Sequence, residues 1–152
     1  MSIFTCDNKD EFIFDIFPDS KNSYFVDVGA SDGIYGSNTF SLESRGWKGL
    51  CVEPHPSLFK ELDKRSCHKD NSLVGFSNEI VEFAIQNNES HIKGFSGENI
   101  FGGYSHAWRG GSGILSNWDK KRVNATNEYE IIKMKTTTLT KVLDKHNSPK
   151  YI

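Results

Sequence analysis

The segment Tyr24-Phe-Val-Asp-Val-Gly-Ala-Ser-Asp-Gly33 restricts the fold of this chain more than any other. Its β-rich run stops at Gly29 and suits a strand buried on both faces of a parallel sheet. Glycines 29 and 33 then bracket a turn from which a helix can start. Leu50-Cys-Val52, bounded by Gly49 and Glu53, is short and apolar, and a strand there completes a βαβ unit with the expected right-handed crossover.

A strand that feeds a glycine-containing turn opening a helix offers unpaired backbone N–H groups to a ligand, and the missing side chains let the ligand approach. Glu53 falls at the carboxyl end of the next strand, where a doubly wound sheet sets an acid against ribose hydroxyls. The two features predict one adenosine-type site. A dinucleotide turn wants G-x-G-x-x-G, but this one inserts Asp32 where a pyrophosphate must approach. An anion there suits a ligand carrying a sulfonium and an ammonium better, which favours S-adenosylmethionine over NAD.

Other elements follow from periodicity. Asp10 to Pro18 predicts a short helix closed by Pro18, with Phe12, Phe14 and Phe17 as core residues. A helix is expected from Asn38 to Arg45, stopped by Gly46, and a second from Pro56 with Leu58, Phe59 and Leu62 on one face. Leu73-Val-Gly-Phe76 is read as the third strand, and Val81, Phe83 and Ile85 as a further half-buried strand or hairpin arm. Ile131-Ile-Lys-Met134 predicts a strand and Leu139 to Lys145 a helix, after which Tyr151-Ile152 begins another strand. Residues 87–117 hold seven glycines and little periodicity, as loops that are either functional or mobile do. No internal repeat or dividing linker is found, so one domain is expected.

Composition narrows the function classes. With 36% hydrophobic and 25% charged residues, 11 Phe, 5 Tyr and 3 Trp, the chain is a globular protein with a core. A net charge of −2 gives no global attraction to nucleic acid or anionic membrane. Neither a membrane span nor a secretory leader is read, and Cys6, Cys51 and Cys67 show neither a disulfide framework nor paired zinc spacing, so a cytoplasmic location is expected. Cys67 with His68 lacks further ligands, and no metal is expected. The Asn88-Glu-Ser90 and Asn124-Ala-Thr126 glycosylation patterns need a secretory context and are read as chance matches.

The residues Phe25-Val-Asp-Val-Gly-Ala-Ser-Asp-Gly33, Ser37-Asn-Thr39 and Gly46-Trp-Lys-Gly-Leu-Cys-Val-Glu-Pro-His-Pro56 together resemble the FkbM-type methyltransferases. The likeness extends loosely to Asp10-Glu-Phe12, Phe76-Ser-Asn78, Val81-Glu-Phe83 and Thr138-Leu-Thr-Lys-Val-Leu143. It implies an α/β, Rossmann-like class I methyltransferase fold that uses S-adenosyl-L-methionine to methylate a hydroxyl of a sugar, glycolipid or related small metabolite. By position, Asp27, Gly29, Ala30, Ser31, Asp32 and Gly33 would surround the methionine part, and Glu53 with Pro54 the ribose. Ser77 and Asn78 would border the adenine, and Asn38 and Thr39 would meet the cofactor carboxylate.

Such proteins continue past a segment like Ser148-Pro-Lys-Tyr-Ile152 into an Asp-x-Glu-Gly motif and further strands. The resemblance therefore implies a domain truncated before its later strands, and an exposed parallel edge predicts self-association. A fold kept for binding without turnover is the alternative reading. No catalytic base is assigned: His106 and Trp108 are read as lining an acceptor pocket or packing a loop, and His55 as a turn residue.

Overall fold

A computed structural model describes residues 9–18, 23–34, 36–86, 112–117 and 129–149. The glycine-rich stretch up to 111, with His106 and Trp108, lies outside them, as do the two glycosylation patterns and Tyr151-Ile152. The described residues fall into two compact units, one reaching Asn78 and resuming at Thr136, the other running from Glu79 to Lys135.

In the first unit, α1 (Lys9–Ile16) precedes β1 (Tyr24–Val28), α2 (Phe40–Ser44), β2 (Lys48–Val52) and α3 (Pro56–Glu61). A 3-10 turn (Leu62–Lys64), β3 (His68–Asp70) and β4 (Leu73–Val74) follow. Strands β1, β2 and β3 lie side by side in parallel, with Tyr24 opposite Lys48, Val28 opposite Val52, and Val52 opposite Asp70. The predicted βαβ unit is therefore present. Its middle strand is the most buried: Leu50, Cys51 and Val52 have no solvent exposure. Leu50 and Val52 each contribute roughly 1.5–3 kcal/mol on leaving water.

Two clusters cover the middle strand. Phe25, Ala30, Leu42, Trp47, Cys51 and Leu62 form one, with Ile13 and Phe14 of α1 packed against it. Leu50, Val52 and Val142 form the other, joined by Tyr24, Val74 and Leu143. Val142 and Leu143 belong to α4 (Leu139–Lys145), capped by Thr138 through its bond from the Lys141 amide and ended by Asn147 at φ 49°.

Three expectations change. The third strand beside β2 is β3, while Leu73–Val74 makes only a two-residue strand parallel to Thr136 and Thr137. Its polar sequence, His68-Lys-Asp70, hides it from a search for apolar runs. Phe76 is fully exposed and belongs to no strand. Helix α2 starts at Phe40 rather than Asn38, because Ser37 Oγ accepts from the amides of Thr39 (3.2 Å) and Phe40 (3.1 Å) and holds both preceding residues in the turn. Finally, Phe12 and Phe17 are exposed rather than core, although Phe17 meets the Trp47 ring edge-on at 6.2 Å.

The second unit contains β5 (Ile80–Gln86), β6 (Gly113–Ile114) and the β7 (Tyr129–Thr137) residues up to Lys135. Strand β5 pairs antiparallel with β7 from Ile80↔Lys135 to Gln86↔Tyr129, and with β6 at Phe83↔Ile114. Phe83 and Ile85 are buried on this strand as the alternation predicts, and Ala84 between them is buried too.

Candidate functional site at the carboxyl ends of the parallel strands

Strand β1 delivers its chain to Gly29, where the backbone turns through a left-handed conformation at φ 81°. Ser31 follows at φ 54° and Gly33 at φ 73°. A serine in this region is uncommon and costs free energy of order 1–3 kcal/mol, so something must hold it there. Glu53 does. Its Oε2 accepts from the Ser31 amide at 2.8 Å, and its Oε1 accepts from the His55 amide at 2.9 Å. The amides of Gly29 (2.8 Å) and Ala30 (3.2 Å) both reach the carbonyl of Val52, and Gly33 N–H closes on Ala30 C=O at 2.9 Å. The turn after β1 is thus fastened to the end of β2.

Glu53 is buried, and burial pushes its carboxyl pKa up, partly offset by the two amide hydrogen bonds. Each carboxylate oxygen has more than one acceptor site, so both can still take a hydroxyl donor. Asp27 stands close enough to raise the same pKa further by charge repulsion. Its Oδ2 accepts from Thr39 Oγ1 at 2.6 Å. Asp32 is buried and its Oδ1 accepts from the Ile34 amide at 3.0 Å, which folds its side chain back over the turn. Three carboxylates therefore surround one turn, an arrangement favourable to a cation and unfavourable to a pyrophosphate.

The turn also has room. A side chain at Gly29 would meet nothing within 4 Å, and Gly29 itself is exposed. At Gly33, by contrast, a Cβ would stand 2.5 Å from Leu62 Cδ2 and 3.1 Å from Arg65 Cγ. Gly29 faces open space above the turn, and Gly33 faces the packed side. That asymmetry fits a ligand resting on the Gly29 side.

The structure brings together Asp27, Gly29, Ala30, Ser31, Asp32, Gly33 and Glu53. Thr39 joins them, but as an internal strut: it is buried and bonded to Asp27 and Arg65. Asn38 is exposed beside it, and Pro54 is half-buried next to Glu53. Ser77 and Asn78 are exposed after β4, where the Ser77 carbonyl accepts from Thr136 Oγ1 at 2.6 Å. Since the neighbour of β2 is β3, the side chain at the end of the third strand is Asn71. Its Nδ2 donates to the carbonyls of Glu53 (2.6 Å) and Pro54 (3.2 Å). His55 caps α3 by accepting from the Ser57 amide, which makes it the turn residue expected.

Arg65 went unseen in the sequence. It is buried, and its Nη1 donates to Gly33 C=O at 2.6 Å while Nη2 donates to Thr39 Oγ1 at 3.2 Å. Nε pairs with Glu43 on α2, whose other oxygen binds Ser66. Burial alone would raise the Glu43 pKa, but the bonds from Ser66 and Arg65 outweigh it and draw the carboxyl below its ordinary value. A single Arg after a helical turn carries no periodic signal. Asp70 was missed for the same reason: its Oδ2 meets Lys145 Nζ at 2.8 Å and His146 Nε2 at 2.7 Å.

The fold and site define a mixed α/β protein with a ligand-type turn at the carboxyl ends of parallel strands. The FkbM methyltransferase domain matches residues 27–152, and the chain belongs to that family. Comparison with curated proteins and with solved structures returned no match. No helix among the described residues is long and apolar enough to cross a membrane.

Proposed function

We propose that the chain is a Rossmann-like, S-adenosylmethionine-dependent O-methyltransferase domain acting on a hydroxyl of a sugar, glycolipid or related small metabolite. The observation that carries the cofactor reading is the Glu53 carboxylate, anchored on Ser31 at the end of β2 and retaining acceptor capacity for ribose hydroxyls. S-adenosylmethionine supplies an electrophilic methyl group on a sulfonium. Asp27, Asp32 and Glu53 provide the negative surroundings that such a cation favours, and Gly29 to Gly33 let the backbone approach it. Glu53 and Pro54 are assigned to the ribose, Asn38 to the cofactor carboxylate, and Ser77 and Asn78 to the adenine side. The protein's catalytic contribution is chiefly positioning of the acceptor hydroxyl, together with a proton acceptor. The family supports methyl transfer in general; the hydroxyl acceptor rests on the resemblance, and a cytoplasmic setting on the cysteine usage of the sequence.

Isothermal titration of the folded chain with S-adenosylmethionine, S-adenosylhomocysteine and NAD tests the cofactor. Binding of the first two in competition, without binding of NAD, is the expected outcome. A chain with intact circular dichroism that binds neither adenosyl compound overturns the reading. Transfer of a labelled methyl from S-adenosylmethionine to a panel of sugars and glycolipids then tests turnover, and binding without transfer to any hydroxyl would point to a non-catalytic module.

A further inference from the structure

Two cysteines that no part of the proposed methyl transfer uses lie against each other. Cys51 Sγ and Cys67 Sγ are 3.4 Å apart. Cys51 stands in the middle of β2 with no solvent exposure, and Cys67 immediately precedes β3, half-buried. The parallel register puts Cys51 opposite Lys69. Cys67 is two residues earlier than Lys69, so the two sulfurs share one face of the sheet. Both are free thiols. A disulfide has a sulfur separation of about 2.0 Å, so the two sulfurs stand roughly 1.4 Å beyond bonding distance.

The surroundings differentiate the pair. Arg65 lies close enough to favour the anionic form of both sulfurs. The hydrogen bond with Cys67, reinforced by burial, holds the Cys51 thiol strongly protonated. The same bond draws Cys67 below the ordinary thiol value, against its own burial and the nearby Glu43. Cys67 is also the more exposed of the two. A sulfur that solvent can reach and that is drawn toward ionisation, with a second thiol in contact, is the arrangement of an attacking and a resolving cysteine.

We propose that Cys51 and Cys67 form a reversible oxidation site that closes to an intramolecular disulfide on reaction with a peroxide. The Cys67 thiolate attacks one peroxide oxygen: an S–O bond forms, the O–O bond breaks, and the departing hydroxide takes the proton that Cys67 has lost. Cys51 sulfur then attacks the sulfenic sulfur of Cys67. The S–S bond forms, the S–O bond breaks, and the leaving hydroxide takes the Cys51 proton as water. Two thiols are oxidised, and one hydrogen peroxide is reduced to two waters. A dithiol reductant reverses the change by thiol–disulfide exchange. None of this depends on cofactor binding or methyl transfer.

The test uses the full chain carrying Cys6→Ser, so that only this pair is left to react. Folded protein is treated with hydrogen peroxide, alkylated and mapped without reduction by mass spectrometry. The expected result is a loss of two hydrogen atoms per chain, a cross-linked peptide containing Cys51 and Cys67, and full recovery of both thiols on dithiothreitol treatment. Adding Cys51→Ser should instead trap Cys67 as a sulfenic acid that dimedone labels, in a chain whose circular dichroism is unchanged. If Cys51→Ser fails to fold, the comparison shifts to the parent in guanidinium chloride, where cross-linking should be slower than in the folded chain. Oxidation that leaves both thiols free to alkylate, or that cross-links no faster in the folded chain than in the denatured one, overturns the proposal.

Discussion

The Nη1 of Arg65 donates to the carbonyl oxygen of Gly33 across 2.6 Å, tying the segment before β3 to the far end of the turn after β1. The same guanidinium reaches Thr39, which in turn donates to Asp27, and it pairs with Glu43 on α2. One buried cation thus sets the geometry of the turn from below, while Glu53 fastens it from the side. Neither contact uses the open face at Gly29.

Removing Arg65 should therefore unfold the turn's support before it affects any chemistry. The Arg65 side chain has 0% exposure and that of Glu43 13%, so Arg65→Met leaves a largely buried carboxylate and an unpaired carbonyl. Breaking a buried pair on one side costs about 3–5 kcal/mol. Arg65→Lys should recover only part of this, because an ammonium cannot fork to three acceptors with the same geometry. Urea denaturation of both variants checks the order, and a wild-type midpoint for Arg65→Met would show that the network does not support the turn.

How far the sequence reveals this site follows from which of its contacts are local. Tyr24–Val28, the glycines at 29 and 33 and Glu53 are legible because strand, turn and acid each leave a short-range mark. Arg65, Asp70 and Asn71 are not, since their partners at Gly33, Lys145 and Glu53 come from distant parts of the chain or across strands. The sequence places the third strand at Leu73–Phe76 because the first two residues of β3, His68 and Lys69, are polar and partly exposed. The place of β3 is set by β2, against which even a polar strand can complete the backbone ladder.

Asp70 should shape the acid limb of the stability curve. Burial alone would raise its pKa, but the bonds from Lys145, Ser72 and His146 outweigh burial and hold it below the ordinary carboxylate value. A depressed carboxylate contributes stability above the unfolded pKa and loses it as the pH falls through the folded value. Glu53 has the opposite sign: its raised pKa opposes folding once the pH exceeds the folded value, and that opposition is absent below the unfolded one. Asp70→Asn is expected to lose about 1–3 kcal/mol near neutral pH and to flatten the decline below pH 4. Thermal melts across this range decide it; parallel curves for wild type and variant would remove Asp70 from the acid transition.

Glu53→Ala should weaken S-adenosylmethionine binding by about 1–3 kcal/mol, the usual consequence of losing charge-assisted hydrogen bonds. The structure adds a second effect, because the amides of Ser31 and His55 lose their acceptor and Ser31 is released from its left-handed conformation. Part of the loss is therefore expected as lower stability of the cofactor-free chain. Calorimetry and melting on one preparation distinguish the two parts, and native affinity in a folded variant would take Glu53 out of the site.

Gly29 and Gly33 offer the sharpest separation of binding from folding, since both have positive φ but face different surroundings. Alanine at Gly33 meets Leu62 and Arg65 as well as the left-handed strain, so Gly33→Ala should destabilise the chain by about 2–4 kcal/mol, strain and overpacking together. Alanine at Gly29 meets only the strain, about 1–2 kcal/mol. Valine at Gly29 adds a branched side chain on the open face, where the proposed cofactor rests. Gly29→Val should keep most of its secondary structure, melt somewhat lower, and lose detectable S-adenosylmethionine binding. Its strain is not negligible, so affinity is read on the folded fraction at a temperature well below the melt. A Gly29→Val chain that binds normally would mean that the ligand does not rest on this face. A Gly33→Ala chain no less stable than Gly29→Ala would mean that the packing under the turn tolerates a side chain.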